Sequence, residues 1–501
     1  MTFWTRLQKI RSIRPGVGGM LMGMAAVAVI LSLLGCAVSP PRVRQAPAPS
    51  PQQTEARSAG AAESPKTGKA GPAVPLEQFQ PPNGRFILAD AVRLALENNP
   101  ATRVAWADAR AAAARFGSAR GAWFPKVDVN GTLVYDKELS TKDQPRGSIT
   151  EIEAAATLSY LLFDFGGRTG AVAEARQSLL AADWTRNAVM QNTVLLAEIT
   201  FFNLAGAKAL LEADRTSLAE AEANLTAAEE RHRMGLATQA DVLQARTADA
   251  ETKLSVLDAE GQVRTARGAL ATAMGYPANI PFDPAIEVPD IPRGEFARTV
   301  DQLIEKALAS RPDLMSVRSL ALGAEARKRE TLSSMLPSLF ISGSVGRQWY
   351  RDVPGYANMT FGSVQLQIPI FNGLSRNYDL LRAKSEAEAA RERVRSAEQS
   401  VVFQVYSAHS EFLSADARVQ TTEDLMASAS QSEAVALGRY REGVGSILDL
   451  LSAQRALAQA RAEQISARVG WYITLAQLSH DIGILGVPGD NPLDAASFLS
   501  R

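Results

Sequence analysis

The stretch that decides the fold is RYREGVGSILDLLSAQR at residues 439–455, because a related stretch, RHRMGLATQADVLQAR, occupies residues 231–246. The two stretches keep a constant offset of 208 positions, and they share a glycine, a hydroxyl residue and an aspartate: Gly235 and Gly443, Thr238 and Ser446, Asp241 and Asp449. A pattern repeated at a fixed distance indicates that one structural unit is built twice.

Each stretch has the features of a sharp turn between two helices. A long segment without proline ends at a glycine, which is the usual left-handed residue just past a helix C-terminus. Three residues later a T/S-x-x-D pattern is typical of a capping box, which starts a new helix. The sequence therefore predicts two αα-hairpins, with a first tip at residues 235–241 and a second tip at residues 443–449.

The helix that enters each tip is predicted to be unusually long. Residues 169–234 and 377–442 are both 66-residue segments without proline, which corresponds to about 100 Å of α-helix. Apolar residues follow a seven-residue spacing along both, which favours closely packed, supercoiled helices: Leu204, Leu211, Leu218 and Leu225, then Phe412, Val419 and Met426. A shorter helix returns from each tip, at residues 239–274 and 447–482. Stacked end to end with the helix that precedes the strands, it nearly balances the long one.

Four segments alternate between apolar and polar residues, which is typical of β-strands with one apolar face. They lie at about residues 126–135, 152–163, 338–346 and 361–371. Tilted strands of about ten residues are long enough to cross the apolar band of a membrane, and aromatic residues gather near their ends. The alternative is a pair of soluble hairpins packed on their own helices.

Four strands from one chain are too few to close a membrane barrel, because the smallest closed barrels have eight strands. An open edge in lipid would leave backbone groups without hydrogen bonds. The chain is therefore expected to associate with copies of itself, and eight, twelve or sixteen strands all satisfy this requirement.

The N-terminal 85 residues lack the features of a folded domain. Residues 1–35 combine basic residues with a short apolar stretch, which is typical of a secretory signal peptide. Leu-Leu-Gly before Cys36, the only cysteine, resembles a bacterial lipoprotein box, which implies acylation of Cys36 and, because Ala37 follows, sorting to the outer membrane. The alternative is an uncleaved anchor in the inner membrane. Residues 36–85 are proline-rich and are expected to form a disordered tether.

The order of these features resembles the TolC family of outer-membrane efflux proteins, in its lipid-anchored branch. The resemblance rests on the two tips, on the strand-to-helix junctions LLFDFGGR at residues 161–168 and IPIFNGLSR at 368–376, and on the helix that ends at a proline before each strand pair. It divides the chain into a first repeat at residues 86–292, a second repeat at 293–487 and a tail at 488–501.

The resemblance implies an α+β membrane protein of a Gram-negative bacterium. Long α-helical hairpins would form a tunnel in the periplasm, and the four strands of each chain would contribute to a trimeric, twelve-stranded transmembrane β-barrel. This homotrimer would lie in outer-membrane lipid and passively conduct small molecules or drugs. Its partners would be an inner-membrane pump, driven by protons or ATP, and a periplasmic adaptor protein. The alternatives are the exit duct of a type I protein secretion system and a non-conducting periplasmic coiled-coil scaffold.

Two aspartates are candidate residues of the periplasmic aperture. Asp241 and Asp449 match positions where family members place carboxylates around the closed pore, and a ring of such groups attracts cations. The alternative is that both residues serve only as acids of their capping boxes. The second tip departs from the family at Ser452, where a second acid often follows.

The tips are also where the family meets its adaptor. The candidate docking residues are Gly235, Leu236 and Thr238 in the first tip and Gly443, Val444, Ser446 and Ile447 in the second. Apolar residues at a solvent-facing turn favour a docking surface, whereas the alternative is that they pack inside their hairpin.

Enzyme activity is not expected. The only histidines, His232, His409 and His480, are far apart in the chain, and HExxH, GxSxG and P-loop motifs are absent. Neither a cofactor nor a metal site is predicted. With 53 basic and 53 acidic residues, the composition gives no reason to expect nucleic-acid binding.

Overall fold

A computed structural model describes residues 86–137, 148–286, 290–291, 299–351 and 353–485, and all structural statements below concern these ranges. The predicted signal peptide, Cys36, the tether and the tail lie outside them. The helices are α1 (Leu88–Asn98), α2 (Pro100–Gly121), α3 (Gly167–Arg233), α4 (Gln239–Ala273), α5 (Val300–Ser310), α6 (Pro312–Ser333), α7 (Ser375–Arg441) and α8 (Ile447–Ile482). The strands are β1 (Lys126–Lys137), β2 (Ser148–Phe163), β3 (Ser338–Tyr350) and β4 (Val353–Gln367).

The two long helices are confirmed. Both α3 and α7 have 67 residues and therefore extend for about 100 Å. Helix α3 is also apolar and long enough to span a membrane by length and composition. Part of its apolar middle, including Val194, Phe201 and Leu204, is buried in the main hydrophobic core.

The predicted seven-residue seam lies along the packed side of both long helices. In α3, Leu204 is fully buried, and Ala221 and Ala228 are buried further along the same line. In α7, Phe412 and Val419 are buried at the corresponding places. The alternation of large and small residues lets each long helix pack closely against its return helix.

The short helices stack end to end, as the lengths predict. Where α4 ends and α2 begins, the Asn99 side-chain amide donates to the Ala273 carbonyl at 3.0 Å. Where α8 ends and α6 begins, the Ser310 hydroxyl donates to the Ile482 carbonyl at 2.9 Å. Each stack therefore runs alongside a single 67-residue helix.

The helices lie side by side in a fixed order. Helix α3 packs on α2, where the Arg186 guanidinium lies 4.4 Å from the centre of the Trp106 ring. On its other side α3 packs on α8, where the Phe202 and Tyr472 rings stack at 4.6 Å. Helix α8 then packs on α7, where the Trp471 indole donates to Asp416 at 2.9 Å. The order is therefore α2/α4, α3, α6/α8, α7.

The strands form one antiparallel sheet in the order β1-β2-β3-β4. The strand bounds differ most from the sequence prediction in the second pair: β3 continues to Tyr350, and β4 begins at Val353 and ends at Gln367, not at residues 361–371. Cross-strand pairing of Gly346 with Met359 and Gln348 with Ala357 continues past the alternating segment, because backbone hydrogen bonds do not depend on side-chain polarity.

Candidate functional site

The first tip begins with a left-handed glycine. Gly235 has φ +76°, its N–H donates to the His232 carbonyl at 2.9 Å, and the Leu236 N–H donates to the Arg231 carbonyl at 2.8 Å. These two bonds satisfy carbonyl groups that the end of α3 leaves free. Gly443, with φ +74°, has the same place at the end of α7. The predicted tip geometry is confirmed at both ends.

Both predicted capping boxes are present. The Thr238 hydroxyl accepts from the Asp241 N–H at 3.2 Å, and the Asp241 carboxylate accepts from the Thr238 N–H at 2.8 Å. Ser446 and Asp449 make the same pair of bonds at 3.1 and 3.4 Å. Each aspartate therefore caps its own return helix. Asp449 remains exposed and Asp241 half-buried, and within the described chain neither carboxylate forms an ion pair.

One arginine joins the two tips. The Arg231 guanidinium donates to the Arg441 carbonyl at 2.9 Å and lies 4.4 Å from the centre of the Tyr440 ring. Beneath this contact a small apolar cluster joins the two hairpins: Ala228, Ala245, Ala248, Tyr440, Ile447, Leu450 and Leu451. Arg231 and Tyr440 are 209 positions apart in the sequence, so only the folded chain brings them together.

The apolar tip residues separate into two groups. Leu236 is 73% exposed and Val444 is 69% exposed, whereas Ile447 is only 3% exposed. Of the two alternatives for the apolar tip residues, Ile447 therefore follows the second, since it packs inside the hairpins and does not face solvent. Ile447 is the first residue of α8, and a side chain at that position is directed back over the preceding turn, here into the cluster with Tyr440 and Leu450. Any docking surface of the tips is limited to Leu236, Val444 and their neighbours.

The sheet has one apolar and one polar face. Register places Val127, Val129, Leu133, Ile152, Leu158, Ile341, Val345, Val364 and Leu366 on the same side. Most of these side chains are exposed in the single chain, which leaves a broad apolar surface uncovered. Asn130, Thr157, Ser342 and Ser363 lie on the opposite face and are hydrogen-bonded in cross-strand pairs.

All carboxylates of the described strands lie on the polar face. Asp128, Asp136, Glu151 and Glu153 share it, and Glu151 accepts a hydrogen bond from Gln348. This sorting of charge matches a sheet with lipid on one side and water on the other.

The outer strands leave two edges open. In the described chain β1 pairs only with β2, and β4 pairs only with β3. A membrane-embedded sheet cannot keep such edges, because no water is present to satisfy their backbone groups. In a membrane, β1 and β4 would therefore each need a further pairing strand.

The histidines have structural surroundings. His480 lies between Asp481 at 2.9 Å and Asn192 at 2.7 Å, at the joint between α8 and α6. His232 contacts the Ala237 carbonyl at 2.9 Å, and burial lowers the pKa of His409. Among the described residues no group of three or more His, Cys, Asp and Glu side chains is arranged to hold a metal ion.

Long helical hairpins joined to a sheet with one apolar face define a bacterial outer-membrane channel protein. The chain belongs to the outer membrane efflux protein family, whose family model matches residues 91–276 and 303–483. The predicted family, outer-membrane location and efflux-channel class are therefore confirmed.

Individual relatives are distant but match over most of their length. Protein CyaE of Bordetella pertussis is 26% identical over 85% of this chain and 91% of its own length. The probable outer membrane lipoprotein SilC of Salmonella typhimurium is 24% identical over 87% and 92%. The CmeC outer membrane channel of Campylobacter jejuni has the same fold, with a TM-score of 0.73, 17% identity and coverage of 91% and 98%.

Proposed function

We propose that three copies of the chain form the outer-membrane duct of a tripartite efflux system, which passively conducts small molecules delivered by an inner-membrane pump and a periplasmic adaptor. One observation carries the proposal: the first element of the strand order continues from the first element of the helix order, and the last continues into the last. The open edges of the sheet and of the helix layer therefore lie on the same two sides of the chain. Strand β1 follows α2 and strand β4 precedes α7, so one rotation brings β4 against β1 and α7 against α2 and α4 of the next copy.

Exposed apolar residues lie along both helical edges. Leu243, Leu254 and Leu257 of α4 are at least half exposed. Helix α7 exposes Phe403, Tyr406, Leu425 and Val435. Edges of this kind favour helix packing between copies. Closure by three copies gives twelve strands, in agreement with the resemblance to the TolC family, and the paired 67-residue helices support the assignment of two repeats.

The polar face of the sheet would then line the lumen. Its carboxylates attract cations, while the apolar face contacts lipid. A coiled-coil scaffold without a pore gives no role to an uncovered apolar sheet face, so the structure favours a duct. The pump supplies the energy, and the predicted acylation of Cys36 would add a lipid anchor.

We expect the tip aspartates to set ion preference at the periplasmic end. Changing both Asp241 and Asp449 to Asn keeps an oxygen for the capping bond but removes the charge. Single-channel recordings of the reconstituted protein should show the cation-to-anion permeability ratio fall about fivefold, equivalent to about 1 kcal/mol of lost attraction. An unchanged ratio would exclude both residues from the aperture.

The matched control removes the caps and keeps the charges. Thr238→Ala combined with Ser446→Ala should cost about 1 kcal/mol at each helix end and leave ion preference as it is. Loss of ion preference in this control would show that the ion preference depends on helix capping and not on the carboxylate charge.

We also expect Arg231 to hold the tips together. Opening requires the two hairpins to separate, which breaks the contacts of Arg231 with Tyr440 and with the Arg441 carbonyl. Together these contacts contribute about 2 kcal/mol, so Arg231→Ala should raise the ratio of open to closed channels about thirtyfold in single-channel recordings. Arg233→Ala is the control, because among the described residues Arg233 pairs only with Glu230 of its own helix. Equal open fractions in the two variants would contradict this role.

The adaptor would dock on the surface formed by Leu236 and Val444. Both side chains are exposed beside the glycines that turn the chain, Gly235 and Gly443, and beside the capping residues Thr238 and Ser446. An apolar surface at a hairpin end suits a partner that presents a complementary apolar groove.

A further inference from the structure

A basic residue lies within the apolar face of the sheet. Arg347 lies on this face, because register pairs it with Ala154 on one side and Asn358 on the other. It is exposed, and its guanidinium lies 4.7 Å from the centre of the Tyr356 ring. Among the described residues no carboxylate pairs with it. A charged group on a lipid-facing surface is costly unless it reaches an interface or a partner of opposite charge.

The position of Arg347 along the strand places it at the outer interface. It lies nine positions after Ser338, where β3 begins next to the helices. At about 3.3 Å per residue this is about 30 Å of strand, and a tilt of about 40° reduces it to about 23 Å of height. The apolar band of such barrels is about 25 Å tall. With Ser338 taken as the inner edge of this band, Arg347 lies at the level of the lipid headgroups, on the side away from the helices.

Further hydrogen-bond donors surround the guanidinium. Asn358 is its direct cross-strand neighbour, Thr360 pairs with Val345 one row below, and Tyr356 supplies a phenol hydroxyl. All three side chains are exposed on the same face. These donors lie together as a patch at the outer end of β3 and β4, next to the guanidinium.

The patch opens onto a shallow furrow. The row that contains Arg347 and Asn358 continues across the sheet through Ala154 and Gly131, and a Cβ added at Gly131 would have no atom within 4 Å. The next row towards the outer end carries larger side chains: Leu133, Ile152 and Trp349. Small residues beside a guanidinium leave room for a headgroup and the start of an acyl chain.

We propose that Arg347, with Asn358, Thr360 and Tyr356, binds a phosphate group of a lipid in the outer leaflet. Guanidinium and amide donors are the usual partners of phosphate oxygens, and the patch contains no competing carboxylate among the described residues. The phosphate neutralises the charge that the apolar face exposes, and the furrow receives the lipid beside it. The inference rests on the proposed barrel, because only a membrane-embedded sheet presents this face to lipid.

The test is native mass spectrometry of the detergent-purified full chain, titrated with bisphosphorylated lipid A, with its dephosphorylated form and with inorganic phosphate. The wild-type trimer should bind phosphorylated lipid A at least about tenfold more tightly than the dephosphorylated form. Arg347→Gln should lose this preference, whereas Arg347→Lys should keep part of it. Equal preference in the wild type and Arg347→Gln would overturn the site. Displacement of the lipid by inorganic phosphate would also overturn it, because the site would then bind free phosphate.

Arg351→Gln is the matched control, since it removes the same charge from the adjacent turn. If Arg351→Gln lost the preference for phosphorylated lipid A to the same extent, the attraction would be unspecific, and this result would overturn the site. If Arg347→Gln gives no trimer, Asn358→Ala should lower the preference about threefold, and no change would count against the site. The same spectra report the mass of the assembly. Absence of a trimer contradicts the proposed function and the lipid site together, whereas a trimer without lipid preference contradicts the lipid site alone.

Discussion

Gly275→Ala should lower the free energy of unfolding by at least about 3 kcal/mol. Gly275 has φ +84°, where a side chain costs about 1 kcal/mol. A Cβ at this position would also lie 2.6 Å from the carbonyl carbon of Asn98 and 2.8 Å from the amide nitrogen of Asn99. These are backbone atoms at the joint between α4 and α2, so the stacked helices must move apart, which adds about 2 kcal/mol.

Gly235 provides the matched control. Its φ of +76° is nearly the same, but an added Cβ would meet no atom within 4 Å. Gly235→Ala should therefore cost only the backbone strain, about 1 kcal/mol. Gly483 gives an intermediate case, because its Cβ would lie 3.1 Å from the Cα of Arg311. The free energy of unfolding of each glycine variant is measured by urea unfolding of the detergent-solubilised protein. Equal losses for Gly235→Ala and Gly275→Ala would contradict the close approach at the joint.

The parts of the fold that follow from local rules could be predicted from the sequence. The tips depend on one left-handed glycine and one capping box each, and the long helices on the absence of proline and on a seven-residue spacing. These signals involve residues within a few positions of one another. They therefore located the tips at Gly235 and Gly443 and the long helices to within about two residues, close to the usual uncertainty of helix ends.

The parts that depend on pairing between distant segments could not be predicted. The second hairpin extends beyond its alternating segment, because β3 and β4 continue to pair through Gly346 and Gln348. The sequence left open whether Ile447 faces solvent or packs inside, and the cluster that buries it combines residues of both hairpins. Arg231 meets Tyr440 only because α3 and α7 end at the same level. In each case the deciding contact joins residues about 200 positions apart or lies across a sheet.

The candidate aperture also combines a local feature, which the sequence predicts, with a feature that depends on distant contacts. A capping box is a local property, and the sequence placed both aspartates in it correctly. A ring of carboxylates is a property of an assembly, and its diameter depends on how the copies of the proposed trimer meet. The charge-removing and cap-removing variants described above separate the two roles, because one changes only the field in the pore and the other only the helix ends.

A buried glutamate in α3 should make the stability of the protein depend on pH. Glu198 is 5% exposed, and its Oε2 atom has no hydrogen-bond partner among the described residues. It lies within the apolar run LLAEITFF at residues 195–202, one turn from Phe202, whose ring stacks on Tyr472. Burial in these surroundings disfavours the charged carboxylate and raises the pKa of Glu198 to about 8.

The sign of the effect follows from proton linkage. Well below pH 4.5 the carboxyl group is protonated in both the folded and the unfolded chain, so its burial carries no charge penalty. Between pH 4.5 and about 8 the unfolded chain loses this proton while the folded chain keeps it. The free energy of unfolding therefore falls by about 1.4 kcal/mol per pH unit across this window, or about 4 to 5 kcal/mol in total.

Glu198→Gln should remove this dependence, because the amide has nearly the same shape and does not ionise. Thermal unfolding of the wild type and the variant, followed from pH 4.5 to 8.5, should give similar midpoints at the acidic end and a widening advantage for the variant as pH rises. Glu212→Gln is the control, since Glu212 is exposed on the same helix. Parallel pH profiles for the wild type and Glu198→Gln would mean that water or a partner chain reaches the carboxylate. A widening gap would show that this wall of the duct holds a neutral acid.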